Sequence, residues 1–131
     1  MPDLIEEYYQ SLLDAVAKCP IVRAYNTILD KRTLNAGIIR GDLYFADGSR
    51  LHFRELVDLQ SEDIRQMYSY HYQAADASLV FRYDDTPHHR SLAKFPHHKH
   101  AGAEANVVSA SAPGLAEVLE EIERLFLDER T

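Results

Sequence analysis

The residues of this chain that are best suited to chemistry are histidines, and they are clustered. Five of the seven histidines lie between positions 88 and 100, and the cluster ends in a His-x-His pair, His98 and His100. A neutral imidazole is a common zinc ligand, and its ordinary pKa of about 6.5 also lets it accept or donate a proton at neutral pH. The cluster therefore indicates either acid–base catalysis or metal binding.

Charged side chains accompany the histidines. Arg82 and Lys99 could stabilise the negative charge of a phosphate, and Asp84 could orient an imidazole or ligate a metal ion. Cleavage of RNA next to its 2′-hydroxyl requires a base, an acid and a cation of this kind. The first hypothesis is therefore RNA cleavage that needs no metal.

The spacing of the His-x-His pair sets a condition on these roles. In an extended segment His98 and His100 point to the same side and Lys99 points away, because side chains alternate along a strand. Unless the segment bends, Arg82, on the same face of its hairpin as His71, is the better ligand for a phosphate.

Two other hypotheses fit the same residues. Three imidazoles could hold Zn²⁺, and the candidate ligands are His97, His98 and His100. Alternatively, the histidines could only cap loops and hydrogen-bond to carboxylates. The concentration of five imidazoles near Lys and Asp favours a functional role over this structural one.

Helices are predicted at both ends of the chain. Apolar residues recur at helical spacing from Ile5 to Val16, and the run ends at Pro20. A second apolar stripe, backed by glutamates, runs from Leu115 to Phe126. Each pattern predicts a helix that packs on one side.

Between the helices apolar and polar residues alternate, which is typical of half-buried strands. The Asp47-Gly48 pair predicts a hairpin with a three-residue loop at 47–49 in which Gly48 is left-handed. The facing pairs are then Phe45–Leu51, Leu43–Phe53 and Ile39–Val57. A two-residue turn at 76–77 predicts a second hairpin with the pairs Ala74–Leu79, Tyr72–Phe81, Tyr70–Tyr83, His71–Arg82 and Ser69–Asp84.

These elements predict an α+β fold, with a five- or six-stranded antiparallel sheet and the N-terminal and C-terminal helices packed on one face. Further strands are expected near 21–29 and 106–109. Residues 1–131 are expected to form a single domain with a His-rich functional loop at about 84–101. The other face of the first hairpin is polar from Arg40 to Arg54 and should meet solvent or a ligand.

The composition excludes several classes of protein. An apolar content of 46% with only five glycines and five prolines does not fit a disordered chain, and no apolar run is long enough for a transmembrane helix. Because a signal-peptide pattern is also missing, we expect a cytoplasmic protein that does not contact the membrane. The net charge of −7 argues against broad coating of nucleic acid. Segment 82–100 nevertheless has more basic than acidic residues and could form a local cationic site.

A Tyr-Asp pair follows a predicted strand, and a His-rich element closes near His-x-His. In these features, from about Leu43 through the last helix, the chain resembles the TumE-type toxins of prokaryotic toxin–antitoxin modules. It departs from their commonest form by having Asp85 where Asn is frequent, and by a longer His-rich loop. The resemblance implies a functional site containing Tyr83, Asp84, His98 and His100, with His88, His89, His97 and Lys99 as further candidates.

The resemblance also implies a small toxin encoded beside a cognate antitoxin, with RNA cleavage as its activity. We therefore predict a toxin-like endoribonuclease without a required cofactor, in which His98 and His100 are the candidate base and acid. Its partners would be RNA and an acidic antitoxin that covers the basic loop. The remaining catalytic candidates are Tyr83, Asp84 and Lys99, and the binding candidates are Arg82, His88, His89, His97 and His71. The alternative is a non-catalytic module that binds Zn²⁺ or a protein partner.

Overall fold

Within residues 2–85 and 96–130, which the computed structural model describes, the chain forms a seven-stranded antiparallel sheet and two helices. The helices are α1 (Ile5–Ala17) and α2 (Leu115–Arg130). The strands are β1 (Val22–Lys31), β2 (Ala36–Phe45), β3 (Arg50–Asp58), β4 (Arg65–Gln73), β5 (Leu79–Asp84), β6 (His98–Ala101) and β7 (Val107–Ser109). They lie side by side in chain order, so every connection joins neighbouring strands.

Both helices pack on one face of the sheet, as predicted. Burial alternates along β2 and β3, and Leu43, Leu51 and Phe53 are fully buried beneath helix residues such as Val118 and Ile122. On β5, Phe81 is buried and Leu79 is half-buried. The opposite side of the sheet, here called the reverse face, carries the polar residues of the same strands.

The first hairpin has the predicted faces but a different register. Its loop is 46–48 rather than 47–49, because the Phe45 N–H donates to the Ser49 carbonyl at 3.0 Å. Gly48 has a φ of +84° and takes the last loop position, where a three-residue loop places its left-handed residue. The predicted register is therefore wrong by two residues, a shift that keeps every side chain on its face. The observed pairs are Leu43–Leu51, Gly41–Phe53 and Ile39–Glu55.

The second hairpin confirms four of the five predicted pairs, namely Ser69–Asp84, Tyr70–Tyr83, His71–Arg82 and Tyr72–Phe81. The fifth pair is wrong because Gln73, and not Ala74, faces Leu79 across a bulge. The loop has three residues and closes with Ala77 in the left-handed region, at a φ of +69°. Ala77 gave no sequence signal for that conformation, which usually favours glycine or asparagine.

The sheet has one strand more than the upper predicted number, and that strand is β6. It pairs with β5 on one side and β7 on the other. The His-rich loop expected at about 84–101 therefore ends in a strand at His98–Ala101. The sequence missed this strand because His-Lys-His-Ala has no apolar alternation and few β-branched residues. In the described part of the chain, neither helix is long and apolar enough to cross a membrane.

Candidate functional site

Alternation along β5 and β6 sends the predicted site residues to opposite faces of the sheet. Asp84 faces His98 in the register of these strands, and both side chains lie on the reverse face together with His100. Tyr83 and Lys99 occupy the intervening positions and lie on the helix face. The residues that the sequence grouped together are thus divided between two clusters.

Asp84 is at the centre of the reverse-face cluster. Its Oδ1 atom lies 2.7 Å from His98 Nε2, and its Oδ2 atom lies 3.7 Å from His100 Nε2. The three residues are 5%, 2% and 5% exposed, respectively. The two imidazole rings are 5.0 Å apart and nearly perpendicular. Two imidazoles and a carboxylate are therefore held together in a largely dry environment.

Backbone carbonyls fix the orientation of both imidazoles. His98 Nδ1 lies 2.9 Å from the carbonyl oxygen of Pro96, and His100 Nδ1 lies 2.7 Å from that of Glu104. Because a carbonyl oxygen can only accept, each Nδ1 carries a proton. Both Nε2 atoms are consequently turned toward Asp84.

Arg82 completes the cluster and distinguishes the two imidazoles. Its Nε donates to Asp84 Oδ2 at 3.0 Å, and its Nη2 lies 3.0 Å from His100 Nε2. Because a guanidinium can only donate, His100 Nε2 accepts, and the His100 ring is neutral. Both nitrogens of His98 face oxygen atoms, those of the Pro96 carbonyl and the Asp84 carboxylate. The two imidazoles thus differ in the partner of Nε2, which is a carboxylate for His98 and a guanidinium for His100.

His71, a predicted binding residue, extends the cluster along the reverse face. It lies on β4 opposite Arg82, and on its other side it faces His52 of β3. Burial, followed by the positive charge of Arg82, lowers the pKa of His71. His52 in turn lies 3.1 Å from a carboxylate oxygen of Asp42. A polar row therefore crosses the sheet from β2 to β6.

Tyr83 and Lys99 bind α2 to the sheet. The Tyr83 hydroxyl donates to Glu121 Oε1 at 2.6 Å, and Lys99 Nζ donates to Glu121 Oε2 at 2.8 Å. Burial and the hydrogen bond to Glu121 raise the pKa of Tyr83. Burial alone would lower the pKa of Lys99, but hydrogen bonds to Glu121 and Tyr83 raise it instead. These contacts anchor the helix and keep both side chains away from Asp84.

His97 also lies apart from the Asp84 cluster. Its Nδ1 atom is 2.8 Å from the Tyr68 hydroxyl, and the two rings are stacked with their centroids 5.7 Å apart. Among the described residues, Asp84, His98 and His100 have potential metal-ligand atoms within 4.8 Å of one another. A metal site here would therefore use Asp84 in place of the expected His97. His88 and His89 lie outside the described residues.

A buried ionic cluster on the helix face was missed by the sequence analysis. Glu55 is 1% exposed and accepts hydrogen bonds from the hydroxyls of Tyr8 and Tyr70, the latter at 2.7 Å. Arg65 donates to the Tyr70 hydroxyl at 3.0 Å. Burial and the Glu55 carboxylate raise the pKa of both tyrosines. The sequence did contain a signal for this cluster: Glu55 lies between Phe53 and Val57, at a position of the alternating strand that faces the core.

Comparison with known proteins gives one match. A family model described as Toxin TumE matches residues 12–126. The matched range includes all seven described strands and the four residues of the reverse-face cluster. Neither a curated protein nor a solved structure matches the chain significantly.

Proposed function

The chain belongs to the TumE toxin family, and we propose that it is the toxin of a toxin–antitoxin module and acts in the cytoplasm as an endoribonuclease. Its active site is formed by Arg82, Asp84, His98 and His100. One observation supports this assignment above the others: two imidazoles, one contacting the Arg82 guanidinium and the other the Asp84 carboxylate, lie 5.0 Å apart. Cleavage of RNA next to a 2′-hydroxyl uses that combination of acid, base and cation.

The hydrogen bonds favour roles opposite to those expected from the sequence. His100 is the base, because its Nε2 atom carries a lone pair that Arg82 occupies until substrate arrives. Arg82 has the most exposed side chain of the four, at 26%, and transfers its hydrogen bond from His100 to the phosphate. The 2′-oxygen then loses its proton to His100 and attacks phosphorus.

His98 is the acid in this reaction. As the bond between phosphorus and the 5′-oxygen breaks, His98 gives its Nε2 proton to the leaving oxygen, and the products are a 2′,3′-cyclic phosphate and a 5′-hydroxyl. Asp84, 2.7 Å from the same nitrogen, stabilises the imidazolium before transfer and orients the ring. Tyr83 and Lys99 act as positioning residues, since they connect β5 and β6 to α2 through Glu121.

Glutamine variants test this assignment. His98→Gln and His100→Gln should each lower RNA cleavage and growth inhibition by roughly 10²–10⁴-fold, while circular dichroism shows a folded protein. His52→Gln is the matched control, because His52 lies on the same face but outside the cluster. Full cleavage by both folded site variants would exclude the His98–His100 pair as the active site.

A metal site is the second candidate function, and it has its own supporting observation. Both histidines donate Nδ1–H to a backbone carbonyl and turn Nε2 toward a carboxylate, which is the usual arrangement of metal-ligating imidazoles. Two imidazoles and a carboxylate suit Zn²⁺ or a similar divalent ion. Chelator should leave cleavage unchanged if His98 and His100 act as acid and base. Loss of activity in chelator, with bound metal present in the wild type and missing from both variants, would favour the metal site.

A further inference from the structure

Two arginines face each other on the reverse face of the sheet. Arg40 of β2 is opposite Arg54 of β3, and both side chains are exposed. Within the described residues, neither guanidinium has a hydrogen bond or an ion pair. The nearby carboxylate of Asp42, on β2, is instead directed to His52, 3.1 Å away, and to Arg50, 4.0 Å away.

This arrangement costs stability. Like charges directly opposite each other on adjacent strands repel, and a chain with a net charge of −7 has ample acidic residues to place beside them. An anion that binds across both guanidinium groups would remove the repulsion and gain two charge-assisted hydrogen bonds. The pair is therefore suited to a ligand with closely spaced negative charges.

The arginine pair is aligned with the proposed active site. Strand pairing places Arg54 opposite Ser69 of β4, Ser69 opposite Asp84, and Asp84 opposite His98. Three strand spacings of about 4.8 Å separate Arg54 from His98, so the backbones at these positions are about 14 Å apart. An extended chain of a few nucleotides spans that distance. A polyanion lying across the strands would reach both places.

A cavity of about 200 Å³ adjoins this row, and Arg54 and Ser69 are among its lining residues. Leu56 and Met67 face each other across β3 and β4 and provide an apolar surface, and 54% of Met67 is exposed. A carboxylate, Asp85, lines the same cavity and also accepts the Tyr68 N–H at 3.2 Å. An apolar cavity with a hydrogen-bond acceptor in its wall is suited to an unstacked nucleobase with an amino group.

We propose that the reverse face binds single-stranded RNA across the strands, with Arg40 and Arg54 on backbone phosphates and one base in the cavity of Leu56, Met67 and Asp85. This inference rests on the proposed function, because it assigns the substrate path to the same active site. Single strands are required because a base in the cavity must leave its stack. The path leads the backbone over β4 and β5 to His98.

Binding is measured separately from cleavage with a fluorescent single-stranded RNA in which every 2′-oxygen is methylated, since that RNA cannot be cut by 2′-hydroxyl attack. Arg40→Gln/Arg54→Gln should weaken binding by roughly tenfold or more at low salt, and should reduce the slope of log K against log salt by about 1.4. Met67→Ala should weaken binding several-fold without changing the slope, because it removes apolar contact and not charge. Thermal melting verifies that each variant is folded.

Lys18→Gln/Arg124→Gln is the matched control. It makes the same change in net charge at two exposed residues, Lys18 just after α1 and Arg124 in α2, and it should leave the dissociation constant within about twofold of the wild type. Equal weakening by both double variants, or none by Arg40→Gln/Arg54→Gln, would overturn the proposal. A duplex of the same sequence that binds as tightly would also overturn it. If the arginine variant loses antitoxin binding but keeps RNA binding, the face is a protein interface instead.

The two proposals fail differently. If the wild type binds the methylated RNA through Arg40 and Arg54 but does not cut unmodified RNA, the endoribonuclease assignment fails and the binding surface stands. If it cuts RNA and the arginine variant binds as well as the wild type, the substrate path is wrong and the active site stands.

Discussion

His98 and Asp84 face each other across β5 and β6, with Nε2 2.7 Å from Oδ1 and only 2% and 5% of the two residues exposed. Removing one partner of a buried ion pair leaves the other charge without compensation. Asp84→Asn should therefore lower the free energy of unfolding by roughly 3–5 kcal/mol, as measured by urea denaturation.

Asp42→Asn is the control for that experiment. Asp42 lies 3.1 Å from His52, but both side chains are substantially exposed to solvent, so the variant should lose only about 1 kcal/mol or less. Equal losses of unfolding free energy in the two variants would show that the buried Asp84–His98 pair stabilises the fold no more than an exposed pair does.

Alanine substitution of the histidine pair should also reduce stability. In the loop that the sequence predicts, His98→Ala and His100→Ala would barely change the melting temperature, because loop histidines bury little apolar area. Because the two residues lie in a strand and hydrogen-bond through both nitrogens, each variant should instead lose roughly 1–3 kcal/mol. Unchanged melting temperatures for both would contradict the assignment of β6.

Phe53→Ala tests the core beneath the helices. Phe53 is fully buried, and its removal should lower the free energy of unfolding by roughly 3–5 kcal/mol. Ile28→Ala is a suitable comparison, since 54% of Ile28 is exposed and the loss should stay within about 1 kcal/mol. Similar losses from the two substitutions, measured by urea denaturation, would contradict this core assignment.

Stability should depend on pH through His71. Its pKa is lowered in the folded state, so the unfolded chain binds more protons between that value and about 6.5. Stability should therefore be fully present above about pH 6.5 and fall as the pH decreases through this window. His71→Asn should flatten that part of the curve, measured by urea denaturation at several pH values. Burial is the largest cause of this lowered pKa. The charges of Arg82, His52 and Arg50 lower the pKa further, and Glu104 raises it.

An antitoxin should cover the His-rich segment. If the partner is acidic and neutralises the active site, hydrogen exchange in the peptide spanning residues 88–100 should slow when the complex forms. A complex in which that peptide exchanges as in the free toxin would place the antitoxin elsewhere.

The sequence predicted the layers of this fold better than its registers. Alternation assigned Phe53 and His52 to the correct faces, because a side-chain period of two is insensitive to a slip of two residues. The register itself depended on which loop position Gly48 takes. The strand β6 was not predicted, because its pairing with β5 is a long-range interaction that four polar residues do not reveal.

The candidate site was predicted in composition and only partly in geometry. The sequence identified Asp84, His98 and His100 as site residues. It also predicted that Lys99 points away from the two histidines if the segment is extended, as the structure shows. The Tyr83-Asp84 motif suggested two adjacent partners, although neighbours in a strand point to opposite faces. The sequence could not show which groups the two imidazoles contact, because the carbonyl acceptors and Arg82 are brought to them only by folding.

Because β6 lies near the edge of the sheet, the two histidines should be displaced at a lower free energy than the one needed to unfold the core. Between them and the sheet margin lies β7, which has three residues, whereas the hydrophobic core is built mainly on β2, β3 and β4. Short marginal strands open at much lower free energy than a core. Fraying there would separate His98 and His100 from Asp84 while the remaining strands stay folded. Activity should therefore be lost at a lower temperature than the one at which the whole protein unfolds. A partner that displaces β7 would inactivate the protein without unfolding it.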